Sequence, residues 1–159
     1  MPDETESTAT YRLNEGDLAL DVPATWRDET LHVLRLAAEG QATASLVITR
    51  EVLPLGMEVT DYVSAELARL HTTLPDFVQI GRVPVRWPDV VADAVLTRWR
   101  SSEGLMDQIT ACRLAEGRNL LIFTATHPAP MAAAAYEALL SAISSFVPRS
   151  KPDGAPPAA

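Results

Sequence analysis

Three histidines, one cysteine and a scatter of carboxylates are the residues of this 159-residue chain suited to acid–base, nucleophilic or metal chemistry. Their spacing assembles none of these. His32 falls in an apolar run, His71 in a helical pattern and His127 just before a proline. No two have metal-site spacing and no His-Glu-x-x-His occurs, so each reads as a surface or partly buried histidine. Cys112 lies among apolar neighbours in a predicted strand, with no basic or helix-terminal setting to activate it, and reads as a small core residue. The seven glycines sit at turns, in the C-terminal tail or, at Gly81, singly in a strand. Neither G-x-G-x-x-G nor G-x-x-x-x-G-K is present, which argues against a nucleotide loop, and G-x-S-x-G is absent too. Glu15, Glu39, Glu103 and Glu116 each precede a glycine and read as solvated turn residues. The residues thus point to no catalytic group, no metal ligand set and no cofactor. A carboxylate pair assembled only by folding stays open.

The large aromatics are Trp26, Trp87 and Trp99. Trp99 lies between Arg98 and Arg100 and so faces away from two charges, as a core residue does. Trp26 follows Pro23-Ala24-Thr25 and reads as a wedge under a loop. A binding role is the alternative for each.

The elements that must position these residues follow one plan, given twice: short strands, then a helix. Tyr11–Leu13 meets Asn14-Glu15-Gly16, a tight-turn signal. Asp17–Val22 alternates polar and apolar. Leu31–Ala37 and Ser45–Arg50 follow, separated by Glu39-Gly40. Leu53-Pro54-Leu55-Gly56 makes a turn without catalytic residues. Helix 1 is expected over Thr60–Thr73, with Thr60 as N-cap, Asp61 in the first turn and Pro75 ending it. Val63, Leu67, Leu70 and Leu74 form its buried stripe. Phe77–Val85, Ala92–Arg100, Met106–Leu114 and Leu120–Thr126 read as strands, with Glu103-Gly104 and Glu116-Gly117 marking the last two hairpins. Helix 2 is expected over Pro130–Phe146, with Pro130 at the first helical position. Tyr136, Leu140, Ile143 and Val147 make its stripe, beside Leu139 and Phe146. The fold class is α+β: a mainly antiparallel sheet of about seven or eight strands with two principal helices.

One domain over residues 10–148 is expected, between a disordered acidic lead (1–9) and a disordered Pro/Ala-rich tail (149–159). A net charge of −8 argues against nucleic acid as a partner. A single cysteine makes no internal disulfide. The acidic, polar start lacks the pattern of a secretory signal, and no apolar run approaches the roughly 20 residues that span a bilayer. A cytoplasmic protein is expected. In Leu31–Leu36, Leu31, Val33 and Arg35 point one way and His32, Leu34 and Leu36 the other. Leu46 and Ile48 similarly oppose Val47. Two helices would struggle to cover both faces of such a sheet, so an apolar second face needs a partner, a second copy or a ligand, unless loops and the N-terminal hairpin cover it.

The order of elements and several short runs resemble the DcrB-related family, with a Mog1/PsbP-like fold. The runs are Tyr11–Gly16; Val22-Pro23 with Trp26–Thr30; Ser45–Arg50 followed by Leu53–Gly56; Tyr62 with Leu67–Phe77; Asp107-Gln108-Ile109; and Leu120–Thr126. Together they cover residues 11–147, and their order is more specific than any one of them. Cytoplasmic bacterial members are similar to the Eag chaperones of type VI secretion. That resemblance implies a homodimer, with no catalysis, that cradles the hydrophobic N-terminal transmembrane segments of a PAAR effector for loading onto the VgrG spike, without direct membrane anchoring. It implies Leu31, Val33, Leu46 and Ile48 as the apolar cradle and Gln108 as the polar contact. His32 stands where the family's third strand carries an asparagine-like residue, a departure that bears on local hydrogen bonding. The alternatives are a DcrB-related module that binds a soluble protein or small ligand, or an enzyme of an unrecognised type.

Overall fold

The computed structural model describes residues 10–15, 18–23, 25, 29–36 and 44–148. The expected lead and tail, Glu39 and Trp26 lie outside them. The chain divides into two compact units after Thr30. The first holds β1 (Thr10–Glu15) and β2 (Leu18–Pro23), an antiparallel pair running from Thr10↔Pro23 to Glu15↔Leu18.

The second unit holds β3 (His32–Leu36), β4 (Ala44–Val52), α1 (Val59–Thr73), β5 (Val78–Arg86), β6 (Val91–Ser101), β7 (Gly104–Leu114), β8 (Asn119–Pro128) and α2 (Ala133–Ser144). Six strands form one antiparallel sheet in the order β3-β4-β8-β7-β6-β5. The α+β class holds, but where one sheet of about seven or eight strands was expected, six strands form this sheet and two form the separate antiparallel pair of the first unit. Local hairpins make β3–β4, β5–β6, β6–β7 and β7–β8. The β4–β8 pair is non-local and joins the two halves of the unit, from Ser45↔Thr126 to Val52↔Asn119. Gly81 marks a register shift in β5 after Gln79, the irregularity that an isolated strand glycine favours.

The helices lie on opposite faces. Leu139 and Ile143 of α2 pack with Leu46, Ile109, Ala111, Phe123 and Ala125 in the main core. Tyr62 and Val63 of α1 pack on the other face, against Leu53, Cys112 and Leu120. One helix per face replaces the expected difficulty of covering both.

Helix details differ from the sequence pattern. The N-cap of α1 is Glu58, not Thr60, because the Asp61 carboxylate accepts the Glu58 N–H at 3.2 Å. The α1 stripe is only half-buried, and no residue of the helix is fully buried, because a cleft lies beneath it. Helix α2 starts at Ala133 instead of Pro130: the Ala129 N–H donates to the Leu105 carbonyl (2.8 Å) and the Met131 N–H to the Asp107 carboxylate (2.8 Å), which ties residues 129–131 to the sheet. The helix ends at Ser144, so Val147 leaves the stripe and is exposed.

Candidate functional site

Between α1 and the sheet lies an open cleft of about 200 Å³. Helix α1 contributes Tyr62, Val63, Glu66, Leu67 and Leu70. Its i, i+4, i+7 spacing puts the apolar residues on one side. The sheet contributes a floor in which apolar and hydroxyl side chains mix.

Register explains that floor, because directly opposed residues share a face. One row runs Val33, Val47, Thr124, Thr110, Val95 across five strands. The next runs Ser45, Thr126, Gln108, Thr97. Beyond the first row on its other side, Thr49 opposes Ile122 and Ile122 opposes Cys112. Alternate residues of β4, β6, β7 and β8 therefore face the α1 side, with Thr49, Thr97, Thr110 and Thr124 as the recurring hydroxyls.

The polar groups of the cleft are specific. The Gln108 amide donates to the Thr110 hydroxyl at 3.1 Å. Thr97 is 1% exposed, and among the described residues its hydroxyl has no hydrogen-bond partner; the indole N–H of Trp99, two residues on, is likewise buried without one there. The Tyr62 hydroxyl donates to Glu51 at 2.6 Å. Burial, with that hydrogen bond and the Glu51 charge, pushes the phenol well above its ordinary pKa. Arg69 forks onto Glu66 and holds that carboxyl below its usual range. Cys112 lines the cleft floor with its thiol pushed up to about 12, chiefly by burial. It stays a protonated thiol near neutral pH.

The five residues expected to form a cradle do not share one surface. Val33 and Gln108 lie on the α1 side in adjacent rows, and Val33 is 48% exposed at the sheet edge. Leu31, just before β3, is also exposed. Leu46 is 6% exposed and packs into the α2-side core, with Ile48 half-buried against the same core. The alternation of β4 separates them: Leu46 and Ile48 oppose Leu34 and His32, while Val47 opposes Val33. Thr49, Thr97, Thr110, Thr124, Tyr62 and Glu51 line the cleft but were not among the expected site residues. The signal for them was the recurrence of threonine at alternate strand positions.

The histidines occupy three separate places. His32 Nδ1 is 3.5 Å from Arg50 Nη1, His71 meets Phe77 edge-on, and His127 Nδ1 is 2.6 Å from the Pro128 carbonyl. Among the described residues no three His, Cys, Asp or Glu side chains gather as metal ligands, and no helix is long and apolar enough to cross a membrane.

This fold and cleft define a class: a six-stranded antiparallel sheet with one helix on each face and an open, hydroxyl-lined cavity under the first. The chain belongs to the DcrB family, whose model matches residues 15–145. The crystal structure of PA94 from Pseudomonas aeruginosa, a protein of unknown function, has a similar fold, with a TM-score of 0.75 and 22% identity over 89% of this chain and 99% of that one. A Pseudomonas aeruginosa protein (strain PAO1) named Effector EagT6 is 37% identical over 68 residues, which is 42% of this chain and 46% of that relative. The match thus spans about half of the relative's length.

Proposed function

We propose that this protein is a non-catalytic chaperone or adaptor. It shields the hydrophobic transmembrane segments of a type VI secretion effector of the PAAR class and helps load it onto the spike. The observation that carries this reading is the α1-side sheet face, where rows of Val, Thr, Ser and Gln run from the exposed edge at Val33 into the cleft. A membrane segment held in water exposes apolar surface at a cost of roughly 25 cal/mol per Å². Segments rich in small residues also leave backbone carbonyls approachable, and hydroxyl and amide donors suit them. A face that mixes small apolar groups with such donors fits both needs. Similarity to the protein named Effector EagT6 supports the same reading.

In this proposal the protein works in the cytoplasm as a homodimer that cradles one client. Leu31, Val33 and Gln108 touch the client. Leu46 and Ile48 act from the opposite face, holding β4 in place. The test is co-expression with the N-terminal fragment of a PAAR effector, then size-exclusion chromatography with light scattering. A stable complex containing two copies of this chain is expected. A lone monomer beside aggregated fragment overturns the proposal.

The cleft of about 200 Å³ under α1 favours a second reading, a DcrB-related module that binds a soluble protein or small ligand. That reading predicts a monomer that leaves the effector fragment unbound.

A further inference from the structure

We propose that the cleft under α1 binds a small uncharged molecule, about one ring in size, whose apolar body lies against α1 and whose hydroxyl or carbonyl group hydrogen-bonds at Thr97 and Gln108. The inference rests on the small-ligand reading above and gives it a chemical class; the exposed edge at Val33 takes no part in it.

The cleft holds about 200 Å³. An apolar cavity of about 150 Å³ takes a benzene ring, so there is room for a ring and a substituent. Val63, Leu67 and Leu70 give the cleft an apolar wall on the α1 side. No residue of α1 is fully buried, so an occupant removes further apolar surface of the helix from water, which is favourable.

The floor fixes the polar end. Thr97 lies directly across from Gln108 on the neighbouring strand, and Thr110 directly across from Thr124. Gln108 donates its amide to the Thr110 hydroxyl at 3.1 Å, which leaves its carbonyl oxygen as an acceptor. The Thr97 hydroxyl is buried and, among the described residues, has no partner. Such a group is unfavourable, and an incoming hydroxyl or carbonyl relieves the cost. The Thr97 side chain lines the cleft, and one staggered step about χ1 exchanges the places of its methyl and hydroxyl. The hydroxyl thus turns to an occupant without backbone movement.

Charge sets the class. Among the described residues no Lys, Arg or His lines the cleft, so a carboxylate or phosphate entering it loses hydration with no cation to meet it. A cation gains nothing at the Thr97 end either. Glu66 is already forked by Arg69. Glu51 stands across from Leu120, six positions along β8 from Thr126, the residue that shares a row with Gln108 and Thr97. A neutral ring with one polar group is what remains.

The test titrates the full chain with 4-methylphenol, toluene and 4-methylbenzoate, followed by amide NMR. Saturable shifts at Leu67, Leu70, Thr97 and Gln108 are expected with 4-methylphenol, which should bind about threefold to tenfold more tightly than toluene and at least about tenfold more tightly than 4-methylbenzoate. Thr97→Val, which keeps the shape and removes the hydroxyl, should lower 4-methylphenol to the level of toluene and leave toluene unchanged. Equal binding of toluene and 4-methylphenol by the unmodified chain overturns the polar contact while the small-ligand reading stands. Equal binding of 4-methylbenzoate overturns the uncharged class. An advantage for 4-methylphenol that survives Thr97→Val overturns the role of Thr97. No saturable shift with any of the three overturns the proposal and the small-ligand reading with it.

Discussion

Arg113 and Asp89 form a forked ion pair 24 residues apart, with guanidinium nitrogens 2.8 and 2.7 Å from the two carboxylate oxygens. The arginine is buried and the aspartate half-exposed. The guanidinium carbon also lies 5.3 Å from the centre of the Trp87 ring and 5.2 Å from that of Phe146. A charge is thus held inside the α2 side by one fork and two aromatic faces, with the carboxylate at the water boundary.

Arg113→Ala should therefore destabilise the fold by about 2–4 kcal/mol, through lost packing under Trp87 and Phe146 more than through lost charge. Arg113→Met, which refills the space without a charge, should recover most of the loss. Urea unfolding followed by tryptophan fluorescence checks both.

Asp107 makes stability depend on acid. Its carboxylate accepts two bonds from Arg98, at 2.6 and 3.0 Å, and the Met131 N–H at 2.8 Å. These contacts, with Arg98 first, hold its pKa below the ordinary value of 3.8. A lowered folded pKa means the contribution is complete above the unfolded value and is lost as pH falls through the folded one. The melting temperature should fall through that acid window, and Asp107→Asn should flatten the fall. In that variant the Met131 amide should also exchange faster.

Val33 and Leu46 separate a surface role from a core role. Val33→Gln, at a half-exposed edge position, should change stability by no more than about 0.5 kcal/mol. It should nevertheless abolish stabilisation of a co-expressed effector fragment. Leu46→Ala, in the packed α2-side core, should cost about 2–5 kcal/mol. An unchanged client level with Val33→Gln counts against the client contact.

Cys112 should be inert while the chain is folded. Burial raises its thiol to about 12, so almost no thiolate exists near pH 8. A thiol-reactive chromophore should label it only on unfolding, and labelling in native buffer at the rate of free cysteine would contradict this.

The elements themselves were legible in the chain. Glycine after glutamate placed the β6–β7 and β7–β8 turns, Leu74-Pro75 placed the end of α1, and alternating apolar runs placed β3 to β8, because these signals act over a few residues. The helix starts were less legible, since they depend on which side chain reaches a backbone N–H: Asp61 moves the α1 cap to Glu58, and Asp107, 24 residues away, holds Met131 outside α2. The candidate site was the least legible part. Alternation says that Leu46 and Val47 face opposite ways but not which helix covers which. That is decided by the β4–β8 pairing, between residues 67 to 81 positions apart, and by one helix docking on each side. Sequence by itself thus determined the inventory of strands, helices and turns and the family to which the chain belongs. Tertiary structure alone decided that Leu46 is core, that Val33 and Gln108 share a face with an unpaired Thr97, and that α1 stands off the sheet. The reason is physical: local propensity acts between neighbours in the chain, whereas a face and a cleft exist only once distant strands are in register.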